Sequence, residues 1–433
     1  MKLTGWLIGC LVTAGSAITP ALASPDSTWT QHLQAGRLAL SRDDRAGARH
    51  HLLAADSLVG GHTGAKSALA TVAARSGQRA EALYWLRALA ATGITRAIAR
   101  DSSFARWQGE PEFSAVRARL DANAAPIAHA VVTHSLGDTA LLAEDVAWDA
   151  RSKRFLVSSI HQRRIIALDL NGGVSDFTVA GADSAWGIYG LALDAKRGLL
   201  WATTAAGPEC EGHAPADSGR TGVLAYDLRT ARLRHRIELP RTAARQILGD
   251  LTLGDDGTVY VCESLGGAVY RVLPGAEALE VLVMPGTFSS PQGPALSANR
   301  RTLYVADYSR GIGVVDLATR AVAWLPKPYT LASGGCDGLY REGRHLIAIQ
   351  NGTTPHRVLE LSLDAAGHAI TAWRVLEQAS GRLGEPNHGV VVGRDFYFIG
   401  DSGWDRVGED GQLHTPPGSL PPVLLRLPLG GGR

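Results

Sequence analysis

Cysteine, aromatic residues and uncompensated charge are all scarce in this sequence. Only 4 of its 433 residues are cysteine and 6% are aromatic, and 43 Lys and Arg face 41 Asp and Glu, so the formal net charge is +2. A chain without a basic stripe is not expected to bind nucleic acid. Beyond the leader, no stretch reaches the roughly 18 to 20 consecutive apolar residues of a membrane helix, so no membrane span is expected.

The cysteines exclude two kinds of site. Cys10 lies in the leader described below, and Cys210, Cys262 and Cys336 are too few for a disulfide-rich scaffold. One bridge between two of these three remains open. None of them has the Cys-x-x-Cys spacing of a structural zinc site. With 45% hydrophobic residues, the chain has enough apolar material for one or more well-packed cores.

The first residues have the layout of a secretory signal peptide, residues 1–23. Lys2 is followed by an apolar run from Trp6 to Ile18 and by the small-residue sequence ALA at positions 21 to 23. This pattern predicts cleavage after Ala23 and a periplasmic or secreted protein. The sequence LIGC, which ends at Cys10, also resembles a lipoprotein acylation site. Lipidation is the second choice, because most of the apolar run follows that cysteine.

Residues 24–125 are predicted to form a small α-helical segment, because Ala, Leu and Arg dominate there. The sequences RAGARHHLLAADSL from Arg45 and RAEALYWLRALAAT from Arg79 align at a separation of 79 − 45 = 34 residues. This period resembles that of tetratricopeptide helix pairs. Two units are fewer than a free-standing solenoid needs. We expect either a helical appendage packed against the rest of the chain or an arm that binds a protein partner.

From residue 126 onward, short alternating apolar runs are separated by Gly, Asp and Asn, which is the pattern of strands and tight turns. One phrase of strand, polar turn and strand recurs six times, at intervals of 45, 60, 43, 45 and 51 residues. The copies are EDVAWDARSKRFLVSS from 144, YGLALDAKRGLLWATT from 189, GDLTLGDDGTVYVCES from 249, QGPALSANRRTLYVAD from 292, DGLYREGRHLIAIQNG from 337 and HGVVVGRDFYFIGDSG from 388. Six such units predict an all-β six-bladed β-propeller over residues 126–433, with four strands per blade.

The last unit is one strand short of a complete blade. The apolar run IAHAVVTHSL, residues 127–136, precedes the first unit and is predicted to supply the missing strand. Pairing these two parts of the chain would close the ring and leave no open sheet edge.

The innermost strand of each propeller blade lines a central channel, and its opening residues face the channel mouth. These positions bring together four carboxylates, an amide and an imidazole. They hold Glu144, Asp145, Tyr189, Asp250, Gln292, Asp337 and His388. Crowded acids repel each other unless a cation or protons lie among them, and hard oxygen ligands suit Ca²⁺. We therefore predict a divalent metal, Ca²⁺ first, with Glu144, Asp145, Asp250, Gln292 and Asp337 as ligands. As an alternative, Asp145 and Asp250 each satisfy backbone donors at a strand entry.

The loops that follow the second strands are expected to open on the same face as the channel mouth. Together with Tyr189, these loops supply the predicted ligand-binding residues. The ligand-binding set is Tyr189, Asp307, Tyr308, Asn351 and Trp404. Two of the loops, residues 205–222 and 403–422, are long and rich in Gly and Pro. Each is either a lid over the mouth or surface decoration.

Three phrases carry a family resemblance over roughly residues 128–430. AEDVAWDARSKRFLVSSIHQRRIIALDL, PQGPALSANRRTLYVADY and GCDGLYREGRHLIAIQNG resemble the six-bladed family of gluconolactonases and senescence marker protein, whose relatives are paraoxonases and strictosidine synthases. The resemblance implies a divalent ion in the channel and hydrolysis of a lactone. It places Glu144 and Asp337 at the family's ligand positions. Gly249 and Gln292 stand where the family has Asn.

The first functional hypothesis is a metal-assisted hydrolase of a lactone or ester. His388, His161 and Asp337 are its candidate catalytic residues, since imidazole and carboxylate groups activate water. A lone loop histidine is more often a plain hydrogen-bonding residue. No GxSxG motif occurs, so covalent serine catalysis is not expected. The alternative is a non-catalytic propeller that binds a small molecule or a protein partner.

Overall fold

The structure is a computed structural model that describes residues 25–242 and 244–430. The predicted signal peptide, residues 1–23, and the predicted lipidation position Cys10 lie outside the described residues. Within the described ranges, none of the helices combines the length and the hydropathy that crossing a membrane requires.

In the described part of the chain, five α-helices precede the sheets. They are α1 (Pro25–Ser41), α2 (Arg45–Leu58), α3 (Thr63–Arg75), α4 (Arg79–Ala90) and α5 (Pro111–Ala122). Helix α1 packs against α2 and α3 packs against α4, and the residues between these helices form one apolar core that contains Leu52, Leu69 and Leu86. The two similar sequences found at a 34-residue separation are the second helices of these two pairs. That the pairs are tetratricopeptide repeats remains a prediction.

Local side chains fix where these helices begin. The Asp44 carboxylate accepts a hydrogen bond from the Gly47 N–H at 2.9 Å and caps α2. His62 caps α3 in the same way, since its Nδ1 accepts the Ala65 N–H at 3.1 Å. Pro111 occupies the first turn of α5, where a missing N–H costs nothing. Such caps satisfy backbone donors that a helix start leaves unpaired.

The remainder of the chain confirms the predicted six-bladed β-propeller, with four antiparallel strands in every blade. In chain order the strands are β1 (Val131–Ser135), β2 (Ala143–Asp149), β3 (Arg154–Ser159), β4 (Arg164–Asp169), β5 (Val174–Asp176), β6 (Gly187–Asp194), β7 (Leu199–Ala205), β8 (Thr221–Asp227), β9 (Leu233–Glu238), β10 (Leu248–Leu253), β11 (Val259–Glu263), β12 (Ala268–Val272), β13 (Glu280–Val283), β14 (Pro291–Leu296), β15 (Thr302–Asp307), β16 (Gly311–Asp316), β17 (Val322–Trp324), β18 (Cys336–Glu342), β19 (His345–Gln350), β20 (Arg357–Leu363), β21 (Ile370–Gln378), β22 (Gly389–Val392), β23 (Asp395–Gly400) and β24 (Val423–Pro428). Blades 1 to 5 are β2–β5, β6–β9, β10–β13, β14–β17 and β18–β21. Apolar side chains between neighbouring sheets form the core.

Blade 6 is completed by the strand that comes first in the chain. Its order is β22, β23, β24 and β1, so β1 is the outermost strand. Val132 lies opposite Leu425 and Ser135 lies opposite Val423. The prediction that residues 127–136 close the ring is therefore confirmed.

Glycine lets the inner strands come close together around the channel. A Cβ atom on Gly190 would lie 2.8 Å from the carbonyl oxygen of Gly249 in the next blade. A Cβ atom on Gly293 would lie 2.8 Å from the carbonyl oxygen of Asp337. Larger residues at these positions would push the blades apart and widen the mouth of the channel.

The helical segment is attached to blade 5 by buried polar contacts. The guanidinium of Arg357, the first residue of β20, donates to the Thr92 carbonyl at 3.1 Å. At the end of β21, Gln378 donates to the Asn123 carbonyl at 3.0 Å. Arg357 is fully buried. Hydrogen bonds to a charged group are stronger than those between neutral groups and require a specific geometry. These contacts therefore hold the helical segment in one position against blade 5.

A second attachment joins α2 and α3 to the chain between blades 4 and 5. Lys66, fully buried, donates to Asp56 at 2.7 Å, and the Tyr329 hydroxyl donates to the other oxygen of Asp56 at 2.6 Å. The Lys66 ammonium also lies 3.5 Å from the centre of the Tyr329 ring. The charge of Lys66 is thus paired inside the interface.

The cysteine thiols do not meet. Cys210, Cys262 and Cys336 are all buried, and each is free within the described part of the chain. The bridge that the sequence left open is therefore absent from residues 25–242 and 244–430.

Candidate functional site

Three of the predicted site residues converge at the channel mouth from three different blades. His388, directly before β22, places its Nε2 atom 3.1 Å from Oδ1 of Asp250 on β10. The same nitrogen lies 3.7 Å from Oδ1 of Asp337 on β18. One ligand atom from each residue lies within 4.8 Å of the others. Blades 3, 5 and 6 thus bring two carboxylates and an imidazole together across the channel.

Tyr340 orients the His388 ring. Its hydroxyl oxygen lies 3.1 Å from His388 Nδ1 and accepts the backbone N–H of Gly389 at 2.7 Å. The Nδ1 atom is therefore in contact with the Tyr340 hydroxyl, and Nε2 is the nitrogen directed at the carboxylates. A fixed second partner of this kind sets which imidazole nitrogen is available for chemistry.

Asn351 holds the Asp337 carboxylate from the other side. Its amide nitrogen donates to Asp337 Oδ2 at 2.6 Å and to the Pro386 carbonyl at 3.1 Å. Among the described residues, two oxygens at this mouth are buried without a hydrogen-bond partner, Oδ1 of Asn351 and Oδ2 of Asp250. Buried oxygens without a donor cost free energy, so the site is short of positive partners.

Glu144 forms the wall of the site between blades 1 and 6. Its Oε2 atom accepts hydrogen bonds at 2.6 Å from the Asn387 amide and at 2.6 Å from the Trp404 indole. The backbone N–H of His388 donates to the Glu144 carbonyl at 3.1 Å. Glu144 therefore lies beside the cluster of Asp250, Asp337 and His388 and is fixed by its own set of donors.

At the channel mouth the buried carboxyl groups outnumber the positively charged groups. Burial raises the pKa of Asp250 to about 7 and that of Asp145 to about 6, and it raises the pKa of Glu144 well above its ordinary range. Burial also raises the pKa of Asp337, but hydrogen bonding to His388 outweighs this and leaves it lowered. Burial lowers the pKa of His388, but the carboxylates of Asp250 and Asp337 raise it well above its ordinary value. Protons or a cation must compensate this cluster.

Asp145 has a different task from its neighbour Glu144. One of its oxygens accepts the Val146 N–H and the other accepts the Leu191 N–H of blade 2, both at 2.7 Å. Its own N–H donates to Ser158 at 2.9 Å. These contacts agree with the alternative interpretation of Asp145, in which the carboxylate satisfies backbone donors. Asp250 makes no such backbone contact within the described chain.

Gln292, a predicted metal ligand, lies at the half-buried side of the mouth. Its amide oxygen accepts the Ser264 hydroxyl at 3.1 Å, and its amide nitrogen donates to Ser290 at 3.0 Å.

Of the predicted ligand-binding residues, Asp307 and Tyr308 occupy very different surroundings. The Asp307 carboxylate is fully buried and accepts four backbone N–H groups, including those of Ser289 at 2.6 Å and Ser309 at 2.9 Å. It shapes the loop and faces no open space. Tyr308 is half-buried, and its pKa is raised by burial and by the nearby Asp337 and Glu385 carboxylates. Tyr308 therefore borders the site.

Tyr189 and His161 lie on the side of blades 1 and 2. The Tyr189 hydroxyl donates to Glu209 at 2.5 Å, and Arg245 donates to the same oxygen at 2.6 Å. The His161 Nδ1 atom lies 2.7 Å from the Glu209 carbonyl. The structure thus groups Tyr189 and His161 around Glu209 and separates them from the His388 cluster.

The two long loops meet above this side of the mouth. Gln412 of the loop 403–422 donates to the carbonyl of Pro208 in the loop 205–222 at 2.7 Å. Trp404 reaches inward to Glu144, and Leu413 packs against the apolar cluster that contains Tyr189. These contacts favour the lid interpretation, because they cover Glu144 while the Asp337 side chain keeps 16% of its surface exposed.

Sequence comparison of the six units missed several residues of the site. Asn387 and Glu385 precede the inner strand of blade 6, and Tyr340 lies three residues after Asp337. Burial, together with the nearby Asp337 carboxylate, raises the pKa of Glu385 to about 7. The signal was the sequence EPNHG, which places an acid and an amide directly before His388 in one unit alone.

The donor set at the mouth fits a divalent cation. His388 Nε2 and one oxygen each of Asp250 and Asp337 are close enough to share an ion, and Asp250 Oδ2 is buried and unpartnered among the described residues. Two carboxylates with an imidazole suit Ca²⁺, Mn²⁺ or Zn²⁺, so this set does not select one metal.

No protein-family model and no curated protein matches this chain, whereas solved propeller structures do. The luciferin-regenerating enzyme is 11% identical over 71% of this chain and 96% of its own, with a TM-score of 0.49. Regucalcin from Agrobacterium tumefaciens, described as a calcium-binding protein, is 15% identical over 69% and 95%, with a TM-score of 0.45. Virginiamycin B lyase from Staphylococcus aureus is 13% identical over 70% and 98%, with a TM-score of 0.43. At these identities the likeness extends to the propeller fold and says nothing about the chemistry.

Proposed function

We propose that the protein is a hydrolase of a lactone or ester, assisted by a divalent cation at the channel mouth. One observation carries this proposal: His388, Asp250 and Asp337 come from three blades to within hydrogen-bonding reach of one point. Nearly every residue around that point is buried, yet the acids outnumber the positive groups. A structural core would not gather such groups, because burying acids is costly.

The roles of the residues follow from their charge and exposure. Asp250, Asp337 and His388 would hold the cation, which, when bound, polarises a carbonyl group and lowers the pKa of water. Asp337 is the least buried of the three and stays ionised, because its pKa is lowered, so it accepts the proton of the attacking water. Glu144 keeps its proton through burial and donates it to the leaving alkoxide. Tyr340 positions His388.

The proposal is tested with the purified full chain by measuring its metal content and its hydrolysis of a panel of lactones and aryl esters. We expect turnover that a chelator abolishes and that added Ca²⁺ or Mn²⁺ restores. Asp337→Asn removes both a ligand of the cation and the proton acceptor, and we expect it to lower metal content and to lower kcat about 10²- to 10⁴-fold. His388→Gln is expected to lower metal content as well as turnover.

The matched control is Asp410→Asn, an exposed acid in the loop 403–422. It changes the same functional group on the same face and is expected to leave metal content and turnover unchanged. Metal-free protein that hydrolyses none of the substrates, and whose thermal transition is unaffected by chelator, would refute the proposed function.

The near-complete burial of the mouth favours a second candidate function, a propeller that binds and does not catalyse. His388 is only 3% exposed and Asn387 only 1%, so a substrate must displace the lid before it reaches them. In a binding protein a small ligand or a partner protein would engage the half-buried rim at Asp337 and Tyr308. This candidate would be supported if lactones bind to the protein and their concentration in the assay does not fall with time. Export to the periplasm or the medium is proposed for both functions.

A further inference from the structure

Three histidines gather on the helical segment, far from the channel mouth in the chain. His32 lies on α1, and His50 and His51 lie on α2. The centres of the His32 and His51 rings are 5.2 Å apart, those of His50 and His51 are 5.1 Å apart, and those of His32 and His50 are 6.4 Å apart. Three imidazoles thus straddle the seam between the two helices.

The closest contact joins two nitrogens. His32 Nδ1 and His51 Nδ1 are 3.0 Å apart. In the part of the chain that the structure describes, the ring nitrogens of His32 and His51 have no other hydrogen-bond partner, and those of His50 have none. Two arrangements give such a distance: an N–H of one imidazole donates to the bare nitrogen of the other, or both bare nitrogens share a cation.

The distance matches that of two ligands on one ion. Two nitrogens that each lie about 2.1 Å from a metal are about 3.0 Å apart at a right angle and about 3.4 Å apart at the tetrahedral angle of Zn²⁺, so a small movement of either ring suits both geometries. His50 is exposed and borders a surface groove of about 560 Å³ along α2. A nitrogen of its ring reaches the same point only after the side chain turns, and the groove leaves room for that movement and for water ligands.

We propose that His32 and His51, completed by His50, form a site for a divalent transition-metal ion such as Zn²⁺, Ni²⁺ or Cu²⁺. Imidazole nitrogen is a ligand that these ions favour and that Ca²⁺ and Mg²⁺ do not. The site is therefore chemically distinct from the oxygen-rich channel mouth, and it does not depend on the proposed hydrolase. Because the ligands come from both helices, the bound ion joins α1 to α2.

The proposal is tested by calorimetric titration of the chelator-treated full chain with Zn²⁺ and with Ca²⁺. The parent for this test carries His388→Gln, so that the imidazole of the channel mouth does not supply a second site for Zn²⁺ or Cu²⁺. We expect one equivalent of Zn²⁺ to bind. His32→Gln and His51→Gln should each lower the Zn²⁺ affinity at least about tenfold, because losing even a partner outside the ligand shell lowers metal affinity by that much. His50→Gln is expected to weaken it less. The Cu²⁺ complex is expected to show nitrogen coupling in its electron paramagnetic resonance spectrum, and both of the first two variants should lose it.

His368→Gln is the matched control, an exposed histidine on a blade 5 loop that is expected to leave the Zn²⁺ titration unchanged. The helix signal in circular dichroism reports separately on folding. We expect Zn²⁺ to raise its thermal midpoint in the parent and the control and not in His32→Gln or His51→Gln. Equal Zn²⁺ affinity and Cu²⁺ spectra in the parent and both variants would overturn the proposal.

Discussion

His388 and its two carboxylate neighbours determine how protons and cations distribute at the channel mouth. Asp250 keeps its proton up to about pH 7 because it is buried, whereas an unfolded aspartate loses its proton near its ordinary value of 3.8. Between these two values the folded state binds a proton that the unfolded state has released. The stability that this proton contributes is full below about pH 4 and is lost as the pH rises to 7.

A divalent ion competes with this proton, so we expect its affinity to rise with pH. With a pKa of about 7 for Asp250, about a tenth of the carboxylates are ionised at pH 6 and about nine tenths at pH 8. Binding should therefore be at least about tenfold tighter at pH 8, as measured by calorimetry in chelator-treated protein. His388 makes the dependence steeper, because its pKa is also raised and its Nε2 must release a proton before it binds the ion. In Asp250→Asn this dependence should shrink, and a slope identical to that of the parent would exclude Asp250 as the titrating ligand.

At the scale of the structural element, the connection from β19 to β20 joins the helical segment to the site. Arg357 donates to Gln350 at 2.7 Å as well as to the Thr92 carbonyl. Gln350 in turn donates to the Gly334 carbonyl at 2.6 Å. Asn351 follows Gln350 directly, and Gly334 lies three residues before Asp337. One buried guanidinium thus supports both strands that present Asp337 and its amide partner.

We expect Arg357→Met to destabilise the protein and to loosen the site. The change leaves the Gln350 oxygen and the Thr92 carbonyl without their charged donor, at a cost of about 2 to 4 kcal/mol. Chemical denaturation should show this loss, and metal affinity at the channel mouth should fall with it.

Arg374→Met is the matched control on the same blade. Arg374 is exposed and pairs with Glu360 on the surface, so its loss should cost about 0 to 1 kcal/mol. A similar loss of stability in both variants, or full metal affinity in Arg357→Met, would show that Arg357 does not support the site.

At the scale of the whole molecule, the repeat explains why the fold was predictable and the site only partly so. The six copies of one phrase fix six inner strands, and therefore which residues reach the channel mouth. Asp250, Asp337 and His388 follow from that register. The roles of Asp145 and Asp307 do not, because Asp145 is satisfied by Leu191 of the adjacent blade and Asp307 by loop backbone. Asn387 and Glu385 lie outside the repeated phrase, so no comparison between units finds them.

The closure of blade 6 by β1 is also a property of the whole ring, and it is tested with proline. We expect Val131→Pro with Val132→Pro to lower the unfolding free energy by about 3 kcal/mol or more, because proline donates no N–H to β24. Both side chains are about half exposed, at 47% and 46%, so little packing is lost. Thermal and denaturant unfolding measure the effect.

The comparison is the same double change in β5, the outer strand of blade 1, at Val174 and Ser175. That strand ends a sheet without closing the ring, so its loss should cost less and leave one sharp transition. If both double variants unfold alike, β1 is an ordinary edge strand and does not fasten the ring.

The seam that β1 fastens also runs through the proposed pocket. Asn387 and Glu144 are 243 positions apart, yet their side chains bond directly, and the Ala143 N–H donates to the Ser402 carbonyl at 3.1 Å. During synthesis Glu144 is made early, and its hydrogen bond from Asn387 can form only after blade 6 has been synthesised. A partly synthesised chain can therefore contain folded blades and still lack the pocket, which forms only when blade 6 closes the ring.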